Sequence, residues 1–329
     1  MAQSAAARDA VQKQVEQSIS RALQYIAGQQ TANGAWQTDA WGESTAITAL
    51  GILAFLSAGH IPGEGDYGTQ LQQGIRWVLS QQQANGMLIR KTQSHGPMFD
   101  HGICTLMLAQ VCGMLPGADA VPVRHGLEQA IRLILNSQSV EKYDRHQGGW
   151  RYQIDSKDSD LSVTAWQILA LRAAKDIGCD IPTEAIERAA DYVKMCSDRI
   201  QKGFAYQPGN GPTPTLTGCG ITSLELCGDH HSDEALAGVD WLQAHPLMES
   251  SAYFYFGSYY TSLGLFKMGG EAATRNYEHL TSILLPIQQS DGSWTPQHGS
   301  EKQAGRIYST SFAILALAVE FCYLPIFQR

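Results

Sequence analysis

Tyr308-Ser-Thr-Ser-Phe-Ala-Ile-Leu-Ala-Leu-Ala-Val319 decides the fold, because Ser162-Val-Thr-Ala-Trp-Gln-Ile-Leu-Ala-Leu171 and Ser44-Thr-Ala-Ile-Thr-Ala-Leu-Gly-Ile-Leu53 repeat its pattern. Each opens on hydroxyl side chains, which are preferred helix N-caps, and then runs apolar on every side. A helix without a solvent face must be enclosed by other elements. Three such helices imply a protein wrapped around an inner ring.

Working outward, six units emerge, each an amphipathic helix followed by a more apolar one. The third shows the first type best: Leu127, Ala130, Ile131, Ile134 and Leu135 follow the i, i+3, i+4, i+7 spacing of one buried stripe. The apolar helices start near Ser44, His101, Ser162, Gly218, Ser258 and Ser309. Glycine-bearing turns join the two types, as in Gln29-Gln-Thr-Ala-Asn-Gly-Ala-Trp36 and Gln288-Gln-Ser-Asp-Gly-Ser-Trp294. Glycine suits the left-handed step that ends a helix. Six hairpins with amphipathic outer and apolar inner helices predict an all-α fold, an (α/α)6 toroid spanning residues 1–329 as one domain. The competing arrangement is an open superhelix, whose terminal units need polar caps. The last inner helix is among the most apolar, which favours closure.

Composition narrows the function. The chain has 329 residues, 44% hydrophobic, enough for a large core, and a net charge of -8. No run of Lys or Arg is present to track phosphates, so nucleic acid is not an expected partner. Seven cysteines, Cys104, Cys112, Cys179, Cys196, Cys219, Cys227 and Cys322, are odd in number and form no CxxC pair, which suits reduced thiols in a cytoplasmic setting. Met1 to Ser18 lacks the apolar stretch of a secretory leader, although a trimmed leader would leave the same start. The apolar run from Phe312 to Tyr323 is shorter than the roughly 20 residues of a membrane span.

The turns carry a family resemblance. Tyr25/Gln29/Gly34/Trp36 and Leu284/Gln288/Gly292/Trp294 resemble the QW motif of terpenoid cyclases, with looser copies at Trp77/Gln81/Gly86 and Ile134/Gln138/Gly148/Trp150. Over most of its length the chain is similar to the superfamily of squalene-hopene cyclases, protein prenyltransferase β subunits and single-domain prenyltransferase/squalene oxidase repeat proteins. That resemblance implies a toroid whose central cavity, near the N-termini of the inner helices, receives an isoprenoid or other apolar chain.

Those N-termini read Glu43-Ser44, Asp100-His101, Asp158-Ser-Asp160-Leu-Ser162, Thr217-Gly-Cys219, Gly257-Ser-Tyr-Tyr260 and Tyr308-Ser309. Asp158 and Asp160 resemble part of the Asp-x-Asp-Asp motif with which class II terpene cyclases protonate an alkene. The resemblance implies Asp160 as acid and Asp158 as partner, the pair kept protonated by burial and mutual repulsion. Leu161 stands where the motif has its third aspartate. A simpler reading makes Asp160 or Ser162 a helix cap. Phe99-Asp-His101-Gly-Ile-Cys104 is similar to the zinc-binding His segment of prenyltransferase β subunits. Its counterpart of the Asp-x-Cys pair is Thr217-Gly-Cys219, which lacks the acid, so His101 and Cys219 are weak zinc candidates and no cofactor is expected.

Phe256, Tyr259, Tyr260, Trp166, Tyr308 and Phe99 are expected to line the cavity beside Asp100, His101 and Glu43, where aromatic faces stabilise cations. A single toroid leaves water exclusion to a lid, a dimer partner or another chain. Two alternatives share the cavity: a non-catalytic module for a lipid or peptide, and a glycosidase using two of Glu43, Asp100 and Asp160.

Overall fold

The computed structural model describes residues 5–90, 96–115 and 117–328. Among them six helical hairpins follow one another: α1 (Ala5–Gly28) and α2 (Thr45–Ser57), α3 (Gly68–Ser80) and α4 (Pro97–Val111), α5 (Ala120–Gln138) and α6 (Leu161–Asp176), α7 (Thr183–Met195) and α8 (Pro214–Cys227), α9 (Asp233–Ala244) and α10 (Phe254–Met268). The sixth hairpin is α11 (Gly270–Ile287) and α13 (Arg306–Ala318), with a short α12 (Gly299–Ala304) inserted between them. A two-stranded ribbon, β1 (Gln37–Thr38) and β2 (Gly42–Glu43), bridges α1 and α2.

The second helices of the six hairpins form the inner wall. Each packs on the next in the order α2, α4, α6, α8, α10, α13, and α13 returns to α2, so the ring is closed and the fold is the expected all-α toroid. Every residue of α2 is buried, whereas α7 buries only the stripe Ala185, Ile186, Ala189, Ala190, Tyr192 and Val193. This is the burial expected of an enclosed helix against a half-wet one. In α5 the stripe is shifted slightly: Leu133 is buried and Leu135 only half-buried. Five of the inner helices begin one to four residues earlier than the sequence suggests, and α2 begins one later, after its cap Ser44. Pro97 and Pro214 occupy first turns, where the missing N–H costs nothing.

Glutamines in the turns join neighbouring hairpins. Gln138 Nε2 donates to the Gly148 and Ala185 carbonyls, both at 2.8 Å, tying the third turn to α7. In the first two turns the working residue is one position later than the sequence pattern suggests: Gln30, not Gln29, donates to Gly34 and Gln70, and Gln82, not Gln81, to Gly86 and Gly126. Gln288 does the same to Gly292 and to the Ser18 carbonyl on α1, at 2.9 Å each. The last turn thereby treats the first helix as the next hairpin.

Glycine is required where turn meets neighbour. Gly34 has φ +95°, and a Cβ there would lie 2.7 Å from the Gln73 carbonyl; at Gly292, φ +88°, it would lie 2.5 Å from the Arg21 carbonyl. At the far end of the barrel Leu324, Ile326 and Phe327 are buried, and the Phe327 ring lies 6.4 Å from that of Tyr259. Among the described residues no helix is long and apolar enough to cross a membrane.

Candidate functional site

The N-terminal ends of the inner helices surround a cavity of about 640 Å³. Its wall is largely apolar: Ile47 and Leu50 from α2, Phe99 and Ile103 from α4, Leu216 from α8 and Phe256 from α10. Around the mouth stand Trp41, Tyr152, Tyr206, Tyr253 and Tyr308, with the hydroxyls of Ser44, Ser162, Thr213 and Thr215. Three carboxylates face it: Glu43, Asp100 and Glu301. Among the described residues that line it, none is a Lys, Arg or His.

The floor is aromatic. Phe99 and Phe256 come from opposite helices of the ring and meet with centroids 6.2 Å apart. Trp166 lies 6.1 Å from each, stacked on Tyr259 at 6.0 Å and edge-on to Tyr260 at 5.4 Å. Phe312 and Phe327 extend the cluster downward. Trp166, Tyr259 and Tyr260, expected as cavity walls, are instead fully buried beneath it. Rings from four inner helices converge on the axis, and close packing there leaves no space for a ligand. Phe99, Phe256, Tyr308, Asp100 and Glu43 do line the cavity.

Asp100 stands in the first turn of α4 beside the Thr45 hydroxyl. Asp100 is half-buried by exposed surface, and desolvation against the apolar wall pushes its carboxyl up to about 7, with Thr45 pulling in the other direction. Glu301, on α12, is held at the N-terminus of α10: its Oε1 accepts the Phe256 N–H at 3.1 Å. Burial pushes Glu301 up to about 7 even though the amides of Phe256, Tyr255 and Phe254 and the Tyr308 hydroxyl favour its ionised form. Glu43, on β2, is paired outward with Arg90 and Asn33.

Asp158 and Asp160 are absent from the cavity wall. Asp160 is fully buried as the N-cap of α6; its Oδ1 accepts the Val163 N–H at 2.9 Å and the Ser162 hydroxyl at 2.5 Å. Arg151 lies between the two carboxylates, 2.9 Å from Asp160 and 3.0 Å from Asp158. Burial raises the Asp160 pKa, against the bonds from Ser162 and Val163 and the guanidinium. The structure thus inserts a cation where the sequence reading needs repulsion between carboxylates. Tyr152 and Tyr206, whose hydroxyls are 2.6 Å apart, separate this pair from the cavity, with Arg151 over both rings at 4.6 and 5.3 Å.

His101 is not a wall residue or a ligand. Its Nδ1 accepts the Leu88 N–H and its Nε2 donates to the Ala130 carbonyl, each at 3.1 Å, so neither nitrogen is left over. Burial lowers its pKa to about 4, so it is neutral. The equivalent bond in other units comes from threonine: Thr48 accepts from Trp36 N–H, Thr164 from Trp150, Thr217 from Phe204 and Thr310 from Trp294. Cys219 is buried, and among the described residues no group of three His, Cys, Asp or Glu is placed to hold a metal.

Sequence reasoning missed Glu301, Tyr152, Tyr206, Trp41 and Tyr253. For Glu301 a signal existed: the sixth unit's connection from Trp294 to its inner helix is longer than the first unit's from Trp36 to Thr45. The excess is α12.

Comparisons with known proteins agree with this architecture. Among curated proteins no sequence matches. The chain is similar in structure to a type II terpene cyclase, MstE from Scytonema, with 15% identity, TM-score 0.59, and coverage of 96% of this chain and 99% of that one. It is also similar to the GH76A α-1,6-mannanase of Salegentibacter sp. HEL1_6, with 9% identity, TM-score 0.70, and coverage of 94% and 99%. A glycosidase variant in complex with glucose gives 12% identity, TM-score 0.61, and coverage of 95% and 98%. At these identities the likeness is one of fold. A family model described as the prenyltransferase alpha-alpha toroid domain matches residues 2–96 and 103–252. With a closed ring of six hairpins and most of its length matched, this chain belongs to the prenyltransferase α/α-toroid family.

Proposed function

We propose that the toroid binds an apolar, isoprenoid-like chain in its central cavity and that Asp100 protonates an alkene of that chain. The observation that carries this reading is the Asp100 carboxyl beside Phe99 on the wall of a largely apolar cavity, where desolvation pushes its pKa up to about 7. A proton donor to a carbon–carbon double bond must be protonated near neutral pH, shielded from water and close to the π electrons. The cavity volume suits a chain of some tens of heavy atoms, within the ordinary range of about 300–1,000 Å³ for ligand sites. Phe99, Phe256 and Tyr308 line the cavity, and aromatic faces stabilise a cation held beside them. The type II terpene cyclase among the similar structures has been seen with geranylgeranyl dihydroxybenzoate as substrate, a precedent for this use of the fold.

In this reading Asp160, the acid suggested by the motif, is a structural cap, and Asp100 takes its task. The test is incubation of the protein with neutral polyprenes, prenyl diphosphates and α-linked oligosaccharides, with products identified by mass spectrometry. Cyclised or isomerised prenyl products that fall ~10²–10⁴-fold in Asp100→Asn support the reading. Binding of the chain without conversion reduces it to a lipid-binding module, and release of sugar replaces it with glycoside hydrolysis.

A further inference from the structure

Glu301 is a second carboxyl on the cavity wall that the protonation step leaves without a task. In the closed ring two helices lie between α4 and α10 in either direction, so they face each other across the axis. Asp100 belongs to α4, and Glu301 is fastened to the N-terminus of α10 through the Phe256 amide. Phe99, the neighbour of Asp100, and Phe256, the donor to Glu301, meet over the axis with centroids 6.2 Å apart. The two carboxyls are therefore held at opposite walls above one aromatic floor. A chain resting on that floor has one of them at each flank.

We infer that Glu301 is a catalytic residue, the base that takes the final proton from the carbocation formed by Asp100. This rests on the reading proposed above. The wiring of the two groups differs in the way such a division of labour needs. The apolar surrounding of Asp100 favours its neutral form, and a single hydroxyl, that of Thr45, opposes it. Glu301 receives backbone amides at a helix N-terminus and the Tyr308 hydroxyl, which stabilise its anion. Two carboxyls on opposite walls, one with a single hydroxyl partner and one held by several backbone amides, suit a proton donor and a proton acceptor.

The step balances. The Asp100 O–H gives its proton to the alkene, whose π pair forms the new C–H bond and leaves a cation on the adjacent carbon. Later double bonds attack in turn, each supplying a π pair to a new C–C bond. A C–H bond beside the last cation then yields its proton to a Glu301 oxygen, and its electron pair becomes the new C=C. Substrate and product are isomers. One proton has moved from Asp100 to Glu301, and it returns through solvent at the mouth when the product leaves.

The test compares wild type, Glu301→Gln and Tyr308→Phe on a neutral polyprene, with the alkene-to-alcohol product ratio measured across pH. Gln keeps an acceptor for the Phe256 N–H, so the loop stays in place, and a thermal melt verifies the fold. The expected result is a ratio lowered at least ~10-fold in Glu301→Gln, because water then ends the cation, and a smaller drop in Tyr308→Phe. The acidic limb of the rate profile should vanish in Glu301→Gln while the alkaline limb, set by Asp100, remains. An unchanged ratio and an unchanged acidic limb overturn the role of Glu301 and leave the proposed function standing. Alcohol as the sole wild-type product also overturns it, and no conversion by wild type removes both.

Discussion

Two aspartates illustrate how environment assigns roles to identical side chains. Asp160 occupies the cap position that Ser44 takes in α2 and Thr213 in α8, and each accepts the amide three residues on. Asp160→Ala removes a cap worth about 1 kcal/mol and leaves Ser162 and Arg151 short of a partner, a further ~1–3 kcal/mol. A loss of about 2–4 kcal/mol in denaturant unfolding is expected. Asp160→Asn should retain most of any activity, since the amide oxygen still caps. Asp100 and Glu301 behave differently. Both have folded-state pKa values raised to about 7, above the ~4 of an unfolded carboxyl. Their stabilising protonated forms are fully present below the unfolded value and are lost as pH rises through 7. Urea unfolding should therefore show stability falling between pH 4 and pH 8 by on the order of a few kcal/mol, and Asp100→Asn should flatten that slope.

At the scale of the element, the repeat explains a histidine that looks functional in isolation. In five of the six units the turn before the inner helix presents one amide inward, and a polar side chain one turn into the helix accepts it: Thr48, Thr164, Thr217 and Thr310 in four units and His101 in the second. The imidazole is longer than a threonine, so it also reaches the Ala130 carbonyl on α5. His101→Ala should cost about 2–4 kcal/mol, from two unsatisfied buried backbone groups and a small cavity. His101→Thr should recover part of it. Zinc should leave the melting temperature of the wild type unchanged, in contrast to a folded metal site. The glutamines repeat in the same manner, each spanning its own turn and the backbone of the next hairpin.

For the whole molecule, closure is what creates a site. Gln288 joins the sixth turn to α1, accepting the Ser18 hydroxyl at 2.9 Å and donating to the Ser18 carbonyl. Gln288→Ala should lower stability by about 2–3 kcal/mol, as several buried bonds are lost at once, and expose the α1 amides to hydrogen exchange before the rest. Phe327 seals the opposite end, fully buried against the aromatic floor. Phe327→Ala should cost about 3–5 kcal/mol and weaken binding of an apolar chain by loosening the floor beneath it. Differential scanning calorimetry and a fluorescent-lipid titration read the two effects separately.

The hairpin repeat and the all-α class were legible in the chain because they are local. Helical periodicity, hydroxyl caps and turn glycines act over a few residues, so Ser44, Ser162 and Tyr308 announce inner helices without any knowledge of their neighbours. Closure was legible in part, from the apolar character of the last inner helix. The site was less so. Phe99, Asp100, Phe256 and Tyr308 sit where the order of inner-helix N-termini suggested, yet Trp166, Tyr259 and Tyr260 lie one turn deeper and became floor. Whether an aromatic walls a cavity or fills the axis depends on which opposing rings it meets, and that is set by the tilt and register of six helices together. The bond of Glu301 to the Phe256 amide and the Arg151 pairing of Asp160 were not legible for the same reason, since both join residues whose partnership arises only in the folded ring; the longer sixth connection marked only that an extra segment was present. By itself the sequence determined six amphipathic and apolar helix pairs, because hydrophobic pattern and capping are short-range. The tertiary structure alone decided which carboxyls face the cavity, because desolvation and charge pairing depend on what the chain brings from afar.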